Sequence, residues 1–266
     1  MNTDTVSMAV LCALVVLAVV VTAVIADAPV TRHRVEVFAA RQGLTITEDN
    51  CAQVIAYLAV TRRWRSAGLV GAMMWYVVVA FRHQTIGINA GYALSGWFVG
   101  ALIAEVRLNS LVTTRRAASP ERRTLDRFLP RVNRWLLPTT AVTCLVLAGI
   151  AAANGSVASD RSVGIWVAAG IGLPAVVALV ARRILLRPQP QVSADVLSAD
   201  EAIRRRSLQV VTASAITLLL YCVVGQLLVL VNRAETSAAA VVVLVMIGIV
   251  AVPVTGWRLA GGKVSA

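Results

Sequence analysis

Seven stretches of this chain carry no Asp, Glu, Lys or Arg: Thr5–Ala26, Ser66–Phe81, His83–Ala104, Trp135–Ser159, Ser162–Ala181, Ser207–Asn232 and Thr236–Trp257. They run to 22, 16, 22, 25, 20, 26 and 22 residues. A bilayer core takes roughly 20 apolar residues of helix, so six of the seven are long enough to cross it. As a helix, Ser66–Phe81 covers about 24 Å. It crosses if the bilayer thins locally or if Arg65 and Arg82 snorkel to the headgroups. One such run fits a buried helix of a water-soluble protein. Seven in 266 residues do not, because a soluble fold needs polar faces to cover them. The chain is 58% hydrophobic and 14% charged, with only 5% aromatic residues. Its apolar mass is therefore Ala, Val, Leu and Ile, which excludes a disordered chain and a disulfide scaffold. The expected fold is all-α: a polytopic membrane protein forming one integral membrane domain, 1–266. Its seven transmembrane helices are expected at about 5–26, 66–81, 86–106, 135–153, 162–181, 208–231 and 237–257.

The arginines set the expected orientation. Of the 25 basic residues, 22 lie in segments 27–65, 107–134 and 182–207 and in the tail; Arg82, Arg161 and Arg233 lie in the alternate loops. Basic loops stay cytoplasmic, so the N-terminus is expected outside and the C-terminus inside. A first single span is then followed by three helical hairpins with short outer loops at Arg82–Gly87, Asn154–Arg161 and Arg233–Glu235. Ala26-Asp27-Ala28 resembles a signal-peptide cleavage site, but only Asp4 and no basic residue precedes the apolar run. It reads as an uncleaved span. The net charge of +12 and pI near 11.1 suggest nucleic acid at first sight. The arginines are instead spread over three loops that flank spans, so the expected partners are the bilayer and anionic lipid headgroups, not nucleic acid.

Each Arg-rich segment carries a helix-start signal: Thr47 before Glu48-Asp49, Ser119-Pro120-Glu121, and the capping box Ser198-Ala199-Asp200-Glu201. The mixed apolar and basic stretches that follow read either as helices lying on the membrane or as cytoplasmic extensions of the spans. Arg63, Arg134 and Arg206 recur 71 and 72 residues apart, a spacing that any three hairpins of similar size would give.

Two sets of small residues recur every four positions, Gly96/Gly100/Ala104 and Gly164/Ala168/Gly172. Both are expected to be helix-packing seams, internal or between subunits. Trp64, Trp135, Trp166 and Trp257 fall at span ends, where the headgroup region suits them. Trp75 and Trp97 lie within spans and are expected to face other helices. Pro174 and Pro253 are expected to kink theirs.

Signs of chemistry are few. No acid or base lies deep in a span; Glu105 at the end of the third, two residues before Arg107, reads as a headgroup-level ion pair. The cysteines at 12, 51, 144 and 222 have no metal-ligand spacing, and His33 and His83 are expected on opposite sides of the membrane. There is no zincin motif, phosphate loop or nucleophile elbow. No catalytic, cofactor-binding or metal site is expected, and no enzyme activity. The polar groups Asn89, Tyr92, Tyr221 and Gln226 are the candidates for a neutral solute pathway.

The segments Tyr57–Arg65 (YLAVTRRWR), Gly96-Trp97-Phe98 leading to Ala104-Glu105, and Asp200–Arg205 (DEAIRR) resemble uncharacterised multi-span integral membrane proteins of high-GC actinobacteria. The resemblance implies a multi-pass protein of the plasma membrane and transfers no activity or site. The functional expectation is a non-enzymatic scaffold or accessory subunit of a membrane complex, with a protein partner or second copy. The alternative is a small-solute permease.

Overall fold

The computed structural model describes residues 3–83, 90–111, 116–117, 124–153, 161–187, 189–190, 193–233 and 238–261. Their secondary structure is helical apart from one two-residue antiparallel pairing of β1 (Arg116–Ala117) with β2 (Gln189–Pro190). The helices are α1 (Thr3–Asp27), α2 (Arg32–Gln42), α3 (Glu48–His83), α4 (Ala90–Leu111), α5 (Leu125–Phe128), α6 (Arg131–Ala151) and α7 (Arg161–Leu185). They continue with α8 (Ala194–Arg233), α9 (Ala238–Met246) and α10 (Val252–Gly261), the last two joined by a π-helical segment, Ile247–Ala251. Among the described residues five helical runs are long and apolar enough to cross a membrane, or six if the bent pair α1–α2 counts as one. Their exposed faces are apolar: Val16 and Val20 on α1, Val142 and Val146 on α6, Ile165 and Leu179 on α7, and Val242 and Ile249 near the C-terminus. Large apolar side chains left open along several long helices fit a membrane protein, in which lipid covers them.

Within the described residues each charge-free stretch folds as helix, but two helices reach far beyond theirs. At 1.5 Å per residue, α3 and α8 are about 54 and 60 Å long, roughly twice a hydrocarbon core. Both run unbroken from an Arg-rich segment into an apolar one, so the mixed stretches ahead of the second and sixth apolar runs are extensions of the same helices. The start of α3 is as expected. Asn50 accepts a hydrogen bond from the Thr47 amide (3.0 Å) and donates to the Thr45 carbonyl (2.9 Å), fastening the first turn. The capping box at Ser198 does not form. The helix already begins at Ala194, and the Ser198 hydroxyl donates back to the Asp195 carbonyl (2.7 Å). Ser119-Pro120-Glu121, residues 84–89, 154–160 and 234–237 in and beside the three short loops expected on the outer side, and Gly262 onward lie outside the described residues.

The chain divides into two compact units, Met1–Ala117 with Gln189–Ile203, and Ala118–Pro188 with Arg204–Ala266. In the first, α1 and α2 meet at 79° across Ala28–Thr31. Gly43, at φ 64°, ends α2 in the left-handed conformation that glycine adopts without strain. Helices α3 and α4 cross backbone to backbone: a Cβ on Gly96 would lie 2.4 Å from the Gly68 carbonyl oxygen, and one on Gly100 would lie 2.3 Å from that of Trp64. The third-span seam is therefore closed inside the unit, with Ala104 fully buried.

The second unit packs α6 on α7 and α8 around Ala141, Cys144, Ala148, Trp166 and Leu219. Gly256 of α10 sits against Thr217 of α8. The other seam, Gly164/Ala168/Gly172, meets no neighbour among the described residues. A Cβ added at Gly164 or Gly172 would find no atom within 4 Å, and Gly170 instead takes Leu145. Pro174 is accommodated inside α7. Pro253 lacks the amide that would bond back to Ile249, and the π-helical turn lies directly ahead of it. Two tryptophans depart from expectation. Trp75 is 61% exposed on α3, and Trp166 is buried in the α6–α7 contact, whereas Trp97, though partly exposed, is met by Arg65 of α3. An indole within a span can face the bilayer's apolar side without a helix partner, and a ring at a span end is buried wherever a neighbour reaches it.

Candidate functional site

The arginines are structural before they are anything else. Carbonyls at a helix C-terminus have no partner within the helix, and cations suit that end of the dipole. The last turn of α1 is met by Arg62 of α3, whose Nε donates to the Ala26 carbonyl at 3.2 Å. The end of α7 is met by Arg204 of α8, whose Nη1 donates to the Ile184 and Arg187 carbonyls, both at 2.8 Å. The end of α10 is met by Arg206, which donates to the Ala260 carbonyl, and by Asn133, which donates to that of Leu259. One chemical device thus closes three helices. Arginines of a long helix cap the end of its neighbour. Arg204 is 1% exposed and is among the largest side chains buried in the protein.

In the first unit these Arg-rich segments also build a core. Val35 and Phe38 of α2, Val54 and Tyr57 of α3, Leu108 of α4, and Ala199, Ala202 and Ile203 of α8 bury one another. The Phe38 and Tyr57 rings lie 5.8 Å apart at 52°. The amphipathic repeat of α2, Val35-x-x-Phe38-Ala39-x-x-Gln42, turns this face inward and leaves Arg32, His33 and Arg34 exposed. Beside the core, residues 62–65 form a collar around α3. Arg62 and Arg63 turn to α1, where Arg63 pairs with Asp27 at 3.3 Å. Arg65 lies over the Trp97 ring at 5.8 Å, and Arg107 lies over the Trp64 ring at 5.3 Å. Burial, with the charges of Arg34 and Arg63, holds the Arg62 guanidinium below its ordinary pKa, and Asp27 opposes that shift.

In the second unit α8 carries several buried polar side chains. Gln226 is fully buried and its amide donates to the Cys144 thiol at 3.2 Å; that thiol also contacts the Trp166 carbonyl at 3.5 Å. Cys222 packs against the same cluster. Nearer the Arg-rich end, the Ser207 and Thr212 hydroxyls and both ends of the Gln209 amide are buried without a hydrogen-bond partner among the described residues. A buried unsatisfied polar group costs about 1–3 kcal/mol, so a water or polar group reaching any one of these atoms would be stabilised there.

Of the polar residues singled out from sequence, the structure buries Gln226 and half-buries Tyr221 in the second unit. It places Tyr92 in the first, against Tyr76 with ring centroids 5.2 Å apart. Asn89 lies outside the described residues. Tyr92 and Gln226 thus belong to different units. Glu105 is buried at the Arg-rich end of α4. Gln209, Thr212 and Arg204 are not distinguishable from sequence, because a Gln or Thr in an apolar run and an Arg in a basic run have no local mark of burial. Among the described residues no group of three or more His, Cys, Asp or Glu is placed to hold a metal ion. No protein-family model matches the chain, and neither the curated proteins nor the solved structures give a match.

Proposed function

We propose that the protein is a seven-span plasma-membrane protein, N-terminus outside and C-terminus in the cytoplasm, that acts as a non-enzymatic scaffold or accessory subunit. In this reading its Arg-rich cytoplasmic face holds a soluble partner protein. The observation that carries it is the core of Val35, Phe38, Val54, Tyr57, Leu108 and Ile203, built from segments whose charge assigns them to the cytoplasm. Loops that only link spans need no such core. A folded face on rigid helical extensions suits docking. The orientation is tested by thiol labelling of single-cysteine variants, with Glu36→Cys expected to be reactive only from the cytoplasmic side. Affinity capture of a tagged copy from native membranes, with cross-linking from α2, should recover one reproducible partner; a consistently solitary protein sinks the scaffold reading.

A second reading, a permease for small neutral solutes, is favoured by the unpartnered Ser207, Gln209 and Thr212 and by the buried Gln226. In proteoliposomes it predicts flux of glycerol or urea that drops in Gln209→Leu and Gln226→Leu. Flux equal to that of empty liposomes removes it.

A further inference from the structure

We propose that the corner where α1, α2 and α3 meet is a binding site for the phosphodiester of an anionic phospholipid, held by Arg34, Arg62 and Arg63. The three elements converge because α1 stops at Asp27, the chain turns by 79°, and α2 starts at Arg32 while α3 passes alongside. Arg62 reaches the Ala26 carbonyl at 3.2 Å and Arg63 reaches Asp27 at 3.3 Å, which fixes both guanidinium groups at the end of α1. Arg34 stands in the first turn of α2, directly after the bend, and its charge and that of Arg63 both oppose the charge of Arg62. Arg32 is already neutralised by Glu36 at 2.8 Å. The Asp27 carboxylate pairs with Arg63 and acts on Arg62, and Arg34 in the first turn of α2 adds a third positive charge at the same corner.

Like charges this close repel one another beyond what one carboxylate offsets, and a phosphate accepts the paired N–H groups of guanidinium particularly well. The site is open: the Arg63 side chain is 63% exposed and that of Asp27 is 82% exposed. Two features select a lipid over free phosphate. Trp64 adjoins Arg63 and lies under Arg107, a pairing that suits headgroup depth. Directly ahead of the corner, α1 is apolar and exposed nearly all round from Val16 to Ile25, so acyl chains can lie along it.

This site goes beyond the scaffold reading and rests only on its claim that the chain spans a membrane. Orientation itself is read separately by the labelling experiment, because lipid binding in detergent is indifferent to it. The test uses the full-length protein in a neutral detergent, with retained lipid counted by native mass spectrometry after addition of phosphatidylglycerol, phosphatidylcholine or inorganic phosphate. Wild type is expected to retain phosphatidylglycerol in preference to phosphatidylcholine, and millimolar phosphate should not displace it. Retention should fall about five-fold per arginine removed, the factor equivalent to about 1 kcal/mol, in Arg34→Gln and further in R34Q/R63Q. Both variants leave the Arg62 cap on α1 intact. The pair R182Q/R183Q, which removes equal charge from the exposed end of α7, should retain lipid like wild type. Equal loss in the two double variants, no preference for phosphatidylglycerol, or displacement by phosphate would overturn the assignment.

Discussion

Two helices carry the same small-residue pattern and use it differently. On α4, Gly96 and Gly100 lie against α3 so closely that peptide groups of the two helices touch, and Ala104 is fully buried. On α7, Gly164 and Gly172 face open space and Ala168 is exposed. The difference lies in the partner. Helix α3 offers Gly68 and Ala72 opposite the α4 seam, small on small, so both backbones can approach. Helix α6 offers Leu145, which fits over Gly170, two positions off the repeat, and so sets the facing register of α7. A small-residue repeat thus permits close approach without choosing its partner.

Four substitutions break or sharpen that comparison, in decreasing order of effect. Gly100→Leu should destabilise the protein by about 3 kcal/mol or more, since the displaced atoms are backbone and cannot rotate away. Unfolding in mixed detergent measures it, and near-wild-type stability would mean that the α3–α4 contact is looser than described. The second unit also has a polar fastening. Arg204→Leu strips two carbonyls at the end of α7 of their donor and should cost about 2 kcal/mol by the same assay. Gln209→Leu runs the other way. Removing an unsatisfied buried amide should stabilise by about 1 kcal/mol, whereas a loss of that size would mean a bound water or solute is being evicted. Gly172→Leu, on the open seam, should stay within about 0.5 kcal/mol of wild type. A large loss there, or loss of a cross-linked dimer, would show that a second copy covers this face in the membrane.

The helices themselves are readable in the sequence because charge-free runs of this length leave the backbone no partner but itself in an apolar medium. Their ends are not. Nothing in residues 48–65 or 194–206 marks whether a helix continues out of its apolar run, because the hydrogen-bond ladder is the same in lipid and in water. The capping box at Ser198 is overridden for this reason: Ala194–Leu197 already propagate the helix that Ser198 would otherwise start. Helix α2 escapes a reading by pattern, since its inward face of Val35, Phe38 and Ala39 is short and set among arginines. Depth alone misplaces the tryptophans; Trp75 turns to the outside and Trp166 to the core because of what stands beside them.

The arginines join the two levels. Their uneven distribution is a property of the sequence, and it carries an orientation argument without any structure. That Arg62, Arg204 and Arg206 each close the end of a neighbouring helix appears only in three dimensions. Hydrophobic run length and charge are local quantities, summed residue by residue against the surroundings, so the chain alone determines them. Which glycine meets a backbone, which carbonyl meets an arginine and which amide is left unpaired depend on surfaces brought together from distant parts of the chain. Only packing decides those.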